Sequence, residues 1–158
     1  MAESKYGKYI VTELKKNIQL PSFRSDKPGQ EPQPSGQRRS DHVIWMDGEV
    51  VPGASIYSEC VWFWPGSRPE PEKAKEERAG PQAHTHPFDE VIAFFGTNLD
   101  DPHDLGGEIE LWLEDEQHVL TRSFLAFVPA GMKHCPLRIR RIDRPIFHFT
   151  LGPGHEYR

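Results

Sequence analysis

The sequence predicts an all-β protein, a double-sheet jelly roll or small β-barrel preceded by an irregular N-terminal arm. About eight short strand-like runs are separated by turn residues. Residues 108–114 alternate apolar and charged side chains, as in a half-exposed strand. The 158 residues include 15 prolines and 13 glycines, which fits a chain with many turns. This length suits one domain, so we expect an arm at residues 1–40 and a single β domain at 41–158.

The arm has two parts with different patterns. Residues 9–14 carry β-branched side chains typical of a strand, yet they lead into a Glu-Leu-Lys-Lys run that also fits a short helix, so both readings stay open. Residues 21–40 are rich in Pro, Gly, Ser, Gln and charge, which indicates irregular structure. This part could wrap over a partner subunit or remain a mobile segment.

The β domain begins with two strand-like runs. Residues 42–46 lead to the turn Asp47-Gly48, which is a strong hairpin signal, and residues 56–64 form the second run. Residues 65–83 are polar and rich in proline, with balanced acidic and basic side chains. That composition predicts a solvated loop or a short helix.

The second half of the domain has more regular spacing. An apolar strand is predicted at residues 90–95, and a loop rich in Asp, Pro and Gly follows at 96–107. The remaining predicted strands are 108–114, 118–121, 124–128, 137–142 and 146–151.

Composition argues against two classes of partner. The net charge is −5 and no basic patch dominates, which argues against nucleic acid. No apolar run approaches the roughly 18 residues of a membrane span. The N-terminus lacks the apolar segment of a secretory signal, so the cytoplasm is the expected location.

Four residues form a candidate metal site. His84, His86 and Glu90 have the same parity, so an extended chain places them on one face, and His134 follows a Pro-Ala-Gly turn later in the chain. A carboxylate at the start of a buried run is costly unless it is paired or binds a cation. Imidazole and carboxylate suit Fe, Mn, Zn, Ni or Cu. The sequence therefore predicts one divalent transition metal per chain.

The same residues resemble the two motifs of the cupin superfamily, G-x5-H-x-H-x3or4-E-x6-G and G-x5-P-x-G-x2-H-x3-N. All four ligand positions match, and so do the proline and glycine of the second motif. The positions that differ from the motifs are Arg78, Thr97, Ser123 and Arg138. The resemblance implies a small metal-binding β-barrel that forms a homodimer through its sheets, for which Trp62 and Trp64 or the arm could serve.

Further site residues follow from strand parity. His148 shares a face with Thr150 and could act as acid, base or substrate clamp, although a solvent-facing side is an equal alternative. Arg138 and Arg140 share parity with His134 if the strand is unbroken, and they could then anchor an anionic substrate; surface arginines are the alternative, and Pro136 could introduce a bulge.

The two cysteines, Cys60 and Cys135, are too few for a disulfide framework and are expected to be free thiols in the core. An approach of Cys60 to the metal stays open. Cys135 follows a predicted ligand directly, so its side chain should point away from the metal.

The leading functional hypothesis is a metal-dependent enzyme that acts on a small, oxygen-rich or anionic molecule. The cupin resemblance puts oxygen-dependent, dioxygenase-like oxidation first and isomerase or lyase chemistry close behind. The alternative is a non-catalytic cupin that binds a small ligand or metal; a third reading is a structural module. The sequence contains no G-x-S-x-G elbow, phosphate-binding glycine loop or dinucleotide fingerprint.

Overall fold

The computed structural model describes residues 4–24, 26–29, 40–65 and 80–154. A short 3₁₀ helix at Gly7–Tyr9 precedes eight strands. The strands are β1 Ser40–Met46, β2 Ile56–Phe63, β3 Glu90–Phe95, β4 Asp104–Leu113, β5 Glu116–Arg122, β6 Phe124–Val128, β7 His134–Ile142 and β8 Ile146–Pro153. Predictions for residues 30–39 and 66–79 lie outside the described residues. No helix among the described residues is long and apolar enough to cross a membrane.

The strands form two antiparallel sheets. The five-stranded sheet has the order β1-β2-β8-β3-β6 and the three-stranded sheet the order β5-β4-β7. From β3 onward the chain passes back and forth between the sheets, which is a jelly-roll arrangement. The predicted all-β double-sheet fold is confirmed, but among the described strands no hydrogen-bonded ladder closes the two sheets into a barrel.

The main core lies between the two sheets. Alternation along each strand sends every second side chain inward, so Ile92, Phe94 and Ile146 of the five-stranded sheet meet Leu105 and Ile109 of the three-stranded sheet. All five are at most 4% exposed. This packing fixes the inner faces of both sheets, and the candidate site lies on those faces.

The β1–β2 hairpin forms, although its connection is longer than a two-residue turn. Met46 pairs with Ser58, so residues 47–55 make the loop. Asp47 is buried, and its Oδ1 accepts the backbone N–H groups of Glu49 and Val50. The Asp-Gly signal therefore marks the start of a broader turn.

Residues 14–24, which we call the N-terminal strap, have no regular secondary structure but are well packed. Neither the strand nor the helix considered for residues 9–14 forms beyond the 3₁₀ turn. Apolar strap side chains instead pack on a second core cluster built around Trp45 and Tyr57. These strap residues are Leu14, Ile18, Leu20 and Phe23.

Candidate metal centre

Backbone hydrogen bonds bring the two motif segments together. His84 and His134 exchange two such bonds, of 3.1 and 3.0 Å, as an isolated β-bridge. The N–H of Gly131 donates to the carbonyl of His86 at 2.9 Å. Gly131 has φ +81°, a left-handed conformation that favours glycine, so the Pro-x-Gly turn has a structural reason. Since Glu90 is the first residue of β3 and His134 the first residue of β7, each sheet carries one of the predicted ligands.

Three of the four predicted ligands share one cluster of donor atoms, and the fourth, Glu90, lies beside two of them. Donor atoms of His84, His86 and His134 all lie within 4.8 Å of one another. Oε2 of Glu90 is 3.1 Å from Nε2 of His86 and 3.2 Å from Nε2 of His134. Two donors bound at right angles to a metal, with bonds of about 2.1 Å, are about 3 Å apart. The spacing therefore fits neighbouring positions around one cation.

Hydrogen bonds fix which nitrogen of each ring is available. Nδ1 of His84, His86 and His134 faces the carbonyl oxygen of Gln82, Phe88 and Met132, at 2.6, 2.8 and 3.0 Å respectively. A carbonyl only accepts hydrogen bonds, so each Nδ1 must carry the proton. In the neutral rings, the lone pair is consequently on Nε2, the atom that faces the centre.

Two of these Nε2 atoms are buried without a hydrogen-bond partner, those of His84 and His134. Such an atom is costly inside a protein unless something binds its lone pair. A divalent cation bound by three imidazoles and one carboxylate would satisfy both atoms. The residues present therefore fit a metal ion of the predicted class.

The charge state of the site also suits a cation. Burial alone raises the pKa of the Glu90 carboxyl, but the neighbouring His134, His86 and Tyr57 side chains outweigh this effect and hold the pKa at about 2. Burial lowers the pKa of His84, which keeps that ring neutral. For His86 burial lowers the pKa, but the hydrogen bond with Glu90 outweighs it and raises the pKa. The ionised Glu90 thus attracts a proton to His86, and a metal ion would compete for the same place.

Three aromatic side chains hold the ligands in place. The hydroxyl of Tyr57 donates to Oε1 of Glu90 at 2.8 Å, which leaves Oε2 facing the histidines. Phe23 stacks on His84 with ring centroids 3.7 Å apart and planes within 7°. Phe88 stacks on His86 at 4.0 Å and 5°.

His148 lies inside the sandwich. Its ring stacks on Phe94 at 4.2 Å, and its Nδ1 donates to the carbonyl of Ala93 at 2.8 Å. Burial lowers its pKa to about 4, so the ring is neutral near pH 7. The structure therefore places His148 on the inward face, the first of the two alternatives that strand parity left open.

The structure does not bring Arg138 and Arg140 to the histidines. Their side chains are 52% and 41% exposed, and both pair with Glu110 on the outer face of the three-stranded sheet. The parity argument fails because β7 is not regular. Leu113 pairs with His134 but Leu111 pairs with Leu137, so a bulge shifts the alternation between the histidine and the arginines.

A second group of donor atoms, from Asp26, His42 and Glu59, already has a cation. Arg24 donates to both oxygens of Glu59, at 2.6 and 2.8 Å, and through Nε to Asp26 at 2.9 Å. His42 Nε2 lies 3.0 Å from Glu59. The guanidinium thus balances these carboxylates, and we assign the cluster to anchoring of the strap.

The two cysteines are free thiols, as predicted, and do not contribute to the ligand cluster. Cys135 is buried in the main core, and burial raises its pKa to about 12. Cys60 is half-buried on β2, at a position of opposite parity to Tyr57.

Sequence reasoning missed Tyr57, Phe23 and the Arg24–Glu59 pair. Tyr57 and Glu59 alternate on one face of an apolar run, the same signal that selected His148. Phe23 is the single aromatic residue of the polar stretch 21–40, which was a detectable sign that this stretch packs against something.

Comparison with known proteins gives only distant structural likenesses. No family model and no curated protein matches the chain. An oxalate oxidase in complex with glycolate is 14% identical with a TM-score of 0.46, covering 92% of this chain and 73% of that one. The DMSP lyase DddQ from Ruegeria pomeroyi DSS-3 is 20% identical at 0.42, covering 83% and 55%. KdgF from Halomonas sp. is 16% identical at 0.40, covering 72% and 76%. With identities and scores this low, these structures support no inference about the chemistry of this chain.

Proposed function

We propose that this chain, which has a cupin-like fold, is a mononuclear metal-dependent enzyme for a small, oxygen-rich or anionic substrate. His84, His86, Glu90 and His134 hold one divalent transition metal, Fe, Mn, Zn, Ni or Cu. The observation that carries the proposal is the set of three Nε2 lone pairs fixed toward one point beside an ionised carboxylate. Ligand chemistry selects this class of metals without choosing among its members.

Four protein donors suit an open site. Three neutral imidazoles and one carboxylate leave a divalent ion with a net charge near +1, and five- or six-fold coordination leaves one or two positions for other ligands. A metal bound there can polarise a substrate oxygen, acidify a bound water, or support oxygen chemistry if it is redox-active. Glu90 offsets part of the charge, and Tyr57 keeps its Oε2 directed to the site.

The proposed proton acceptor among the protein side chains is His148, which lies on β8 opposite Phe94, four residues along β3 from Glu90. Because its Nδ1–H is committed to the carbonyl of Ala93, its basic lone pair is on Nε2. With a pKa of about 4 the ring is unprotonated near neutral pH. Arg138 and Arg140, which face solvent, have no part in this proposal.

The reaction class follows the cupin resemblance. Oxygen-dependent oxidation comes first, and isomerase or lyase chemistry is close behind. Iron-, manganese- and copper-loaded protein should consume oxygen with at least one phenolic, keto-acid or sugar-acid compound. The His134→Ala variant is the blank for this assay. Absence of uptake with all three metals would move the proposal to isomerase, lyase or binding functions.

A non-catalytic protein that binds metal or a small ligand is the second candidate. Stacked rings cover His84 and His86, and two donor nitrogens are fully buried, which favours a closed site. The open groove beside the site is lined by Ala83, Trp112, Glu114, Asp115, Lys133, Cys135 and Pro136, and none of these is a ligand. A saturated coordination sphere in the metal-loaded protein would favour this candidate over an enzyme.

Metal content tests the proposal. The purified protein should bind one divalent ion per chain, and His84→Ala, His86→Ala, Glu90→Ala and His134→Ala should each lower occupancy strongly. The matched control is His118→Ala, a histidine on β5 in the three-stranded sheet. Stoichiometric metal in all four ligand variants would overturn the assignment.

We also propose a homodimer formed through the outer face of the five-stranded sheet. The side chains that point to this face from β2, β8, β3 and β6 include no charged residue. Three of them are large, apolar and exposed: Leu125 (63%), Phe127 (59%) and Phe95 (40%). A second copy would supply an apolar surface of matching composition.

A further inference from the structure

The N-terminal strap contacts a predicted metal ligand directly. The Phe23 ring lies over the His84 ring at 3.7 Å, nearly parallel to it. The backbone links the same two residues through Gln82, whose N–H donates to the carbonyl of Phe23 at 3.1 Å and whose carbonyl accepts from Nδ1 of His84 at 2.6 Å. One side chain and one backbone path therefore connect the strap to this ligand.

The strap is held on both sides of that contact. Before it, Lys15 pairs with buried Asp47 at 2.7 Å. After it, Arg24, 8% exposed, makes a two-pronged ion pair with Glu59. Between these anchors, Ile18 and Leu20 pack on the Trp45–Tyr57 cluster. The position of Phe23 is thus set by the fold.

Among the three histidines, His84 depends most on the strap. His134 lies in β7, and His86 and His134 are each close to Glu90, at 3.1 and 3.2 Å. His84 lies before β3, and a single isolated bridge, to His134 of β7, connects its backbone to a strand. Its ring orientation is set by Gln82 on one edge and by Phe23 on one face.

We propose that Phe23 is a positioning residue for His84, and that strap docking and metal binding stabilise each other. A metal-bound imidazole is electron-poor, so it should stack on the electron-rich face of Phe23 more strongly than the free ring does. If docking raises metal affinity by some factor, metal raises docking by the same factor. This inference rests on the proposed metal site and adds to it a part of the chain that lies far from the motifs.

Metal affinity in Phe23 variants tests the positioning role. Phe23→Leu keeps an apolar side chain but loses the ring, and it should weaken Co²⁺ or Zn²⁺ binding about threefold to tenfold, the range of a lost aromatic pair. It should also change the visible absorption spectrum of the Co²⁺ form, which reports ligand geometry. Phe23→Tyr should restore both properties. Ile109→Val, which removes one methylene from the main core away from the strap, is the control for general destabilisation and should change neither.

Amide hydrogen exchange tests the coupling from the other side. Adding Zn²⁺ to the wild type should slow exchange at residues 14–24 by about the same threefold to tenfold. Amides of β5, at the edge of the three-stranded sheet, serve as the internal reference. In Phe23→Leu the metal-dependent slowing of the strap should be smaller.

The outcomes separate the two proposals. A wild type that binds no metal overturns the proposed function and this inference with it. The inference alone is overturned if the wild type binds metal but Phe23→Leu has the same metal affinity and the same Co²⁺ spectrum, and if adding metal does not change amide exchange in the strap.

Discussion

Each histidine of the candidate centre donates through Nδ1 to one carbonyl oxygen, and that contact decides which nitrogen faces the centre. The spacing of His84, His86 and Glu90 is visible in the sequence because residues of equal parity share a face. The tautomer is not visible there, since Gln82, Phe88 and Met132 acquire their roles only when the chain turns. At the residue scale, sequence patterns thus selected four side chains that lie close together but did not show the contacts that orient them.

Tyr57 is expected to control how firmly Glu90 holds the metal. Tyr57→Phe removes one hydroxyl from a fully buried ring and frees Oε1 of Glu90. Loss of such a supporting hydrogen bond typically weakens metal binding about 10- to 100-fold. Competition with a chelator measures the dissociation constant. Tyr9→Phe, at a tyrosine that is 57% exposed, is the control. Equal affinity in Tyr57→Phe and wild type would contradict this role.

His148 should make the apoprotein less stable in mild acid. Burial lowers its pKa from 6.5 to about 4; the nearby charges of Arg24 and His42 also lower it, whereas Glu59 and the Ala93 carbonyl raise it. The unfolded chain binds the proton more readily, so this contribution is complete above pH 6.5 and is lost as the pH falls toward 4. The full effect on the free energy of unfolding is about 3 kcal/mol, which follows from the difference between a pKa of 6.5 in the unfolded chain and about 4 in the folded protein.

Urea unfolding of wild type and His148→Leu from pH 7 to pH 4 measures that difference. The variant should lose less free energy of unfolding across this range, because it has no imidazole to protonate at this position. If the free energies of unfolding of the two proteins fell equally with pH, the pKa of His148 would not be lowered in the folded state.

At the scale of elements, sequence patterns predicted the strands but not the bulge in β7. The alternation of residues 108–114 predicted β4, and the structure extends that strand back to Asp104. The same logic failed for Arg138 and Arg140, because the register shift beside His134 reverses the faces of the following residues. A proline in the sequence marked the possibility of a bulge, but only the pairing partners determine where the shift falls.

The strap is the element that sequence patterns described least well. Polar composition predicted irregular structure, which is correct for the described part, yet irregular segments can pack firmly when a few side chains anchor them. Arg24 is the main polar anchor, with a partner, Glu59, that is 4% exposed.

Arg24→Met should therefore destabilise the fold by about 3 kcal/mol, because it leaves the Glu59 carboxylate buried with His42 as its remaining ion-pair partner among the described residues. The double variant Arg24→Met/Glu59→Leu should recover part of this loss, since it removes the unpaired charge as well. Chemical denaturation measures both. A single variant as stable as wild type would show that the ion pair does not anchor the strap.

At the scale of the whole molecule, the fold class was predictable and the assembly was not. Short alternating runs and frequent turns indicate two packed sheets, but they do not specify the order β1-β2-β8-β3-β6, which depends on pairings between distant strands. Patterns also do not show that Leu125 and Phe127 face outward on the same side of the sheet as Phe147 and Phe149, with β3 between the two pairs, since β6 is a uniformly apolar run.

The outer apolar face leads to a prediction about assembly. Phe127→Glu should convert a dimer into a monomer, because a charge at the centre of an apolar interface loses its hydration without gaining a partner. Sedimentation equilibrium measures the mass. Val119→Glu, at a position 45% exposed on the other sheet, should leave the mass unchanged. A wild type that is already monomeric would contradict the proposed interface.

The central claim is that three imidazoles and one carboxylate hold a single cation between the two sheets. X-ray absorption of the zinc-loaded protein tests it most directly, because imidazole rings scatter in a recognisable way. The account predicts one zinc per chain with three imidazole ligands in the wild type, and two imidazole ligands around the smaller amount of zinc that His134→Ala retains. A wild type that binds no zinc, or an imidazole count that is the same in both proteins, would contradict it.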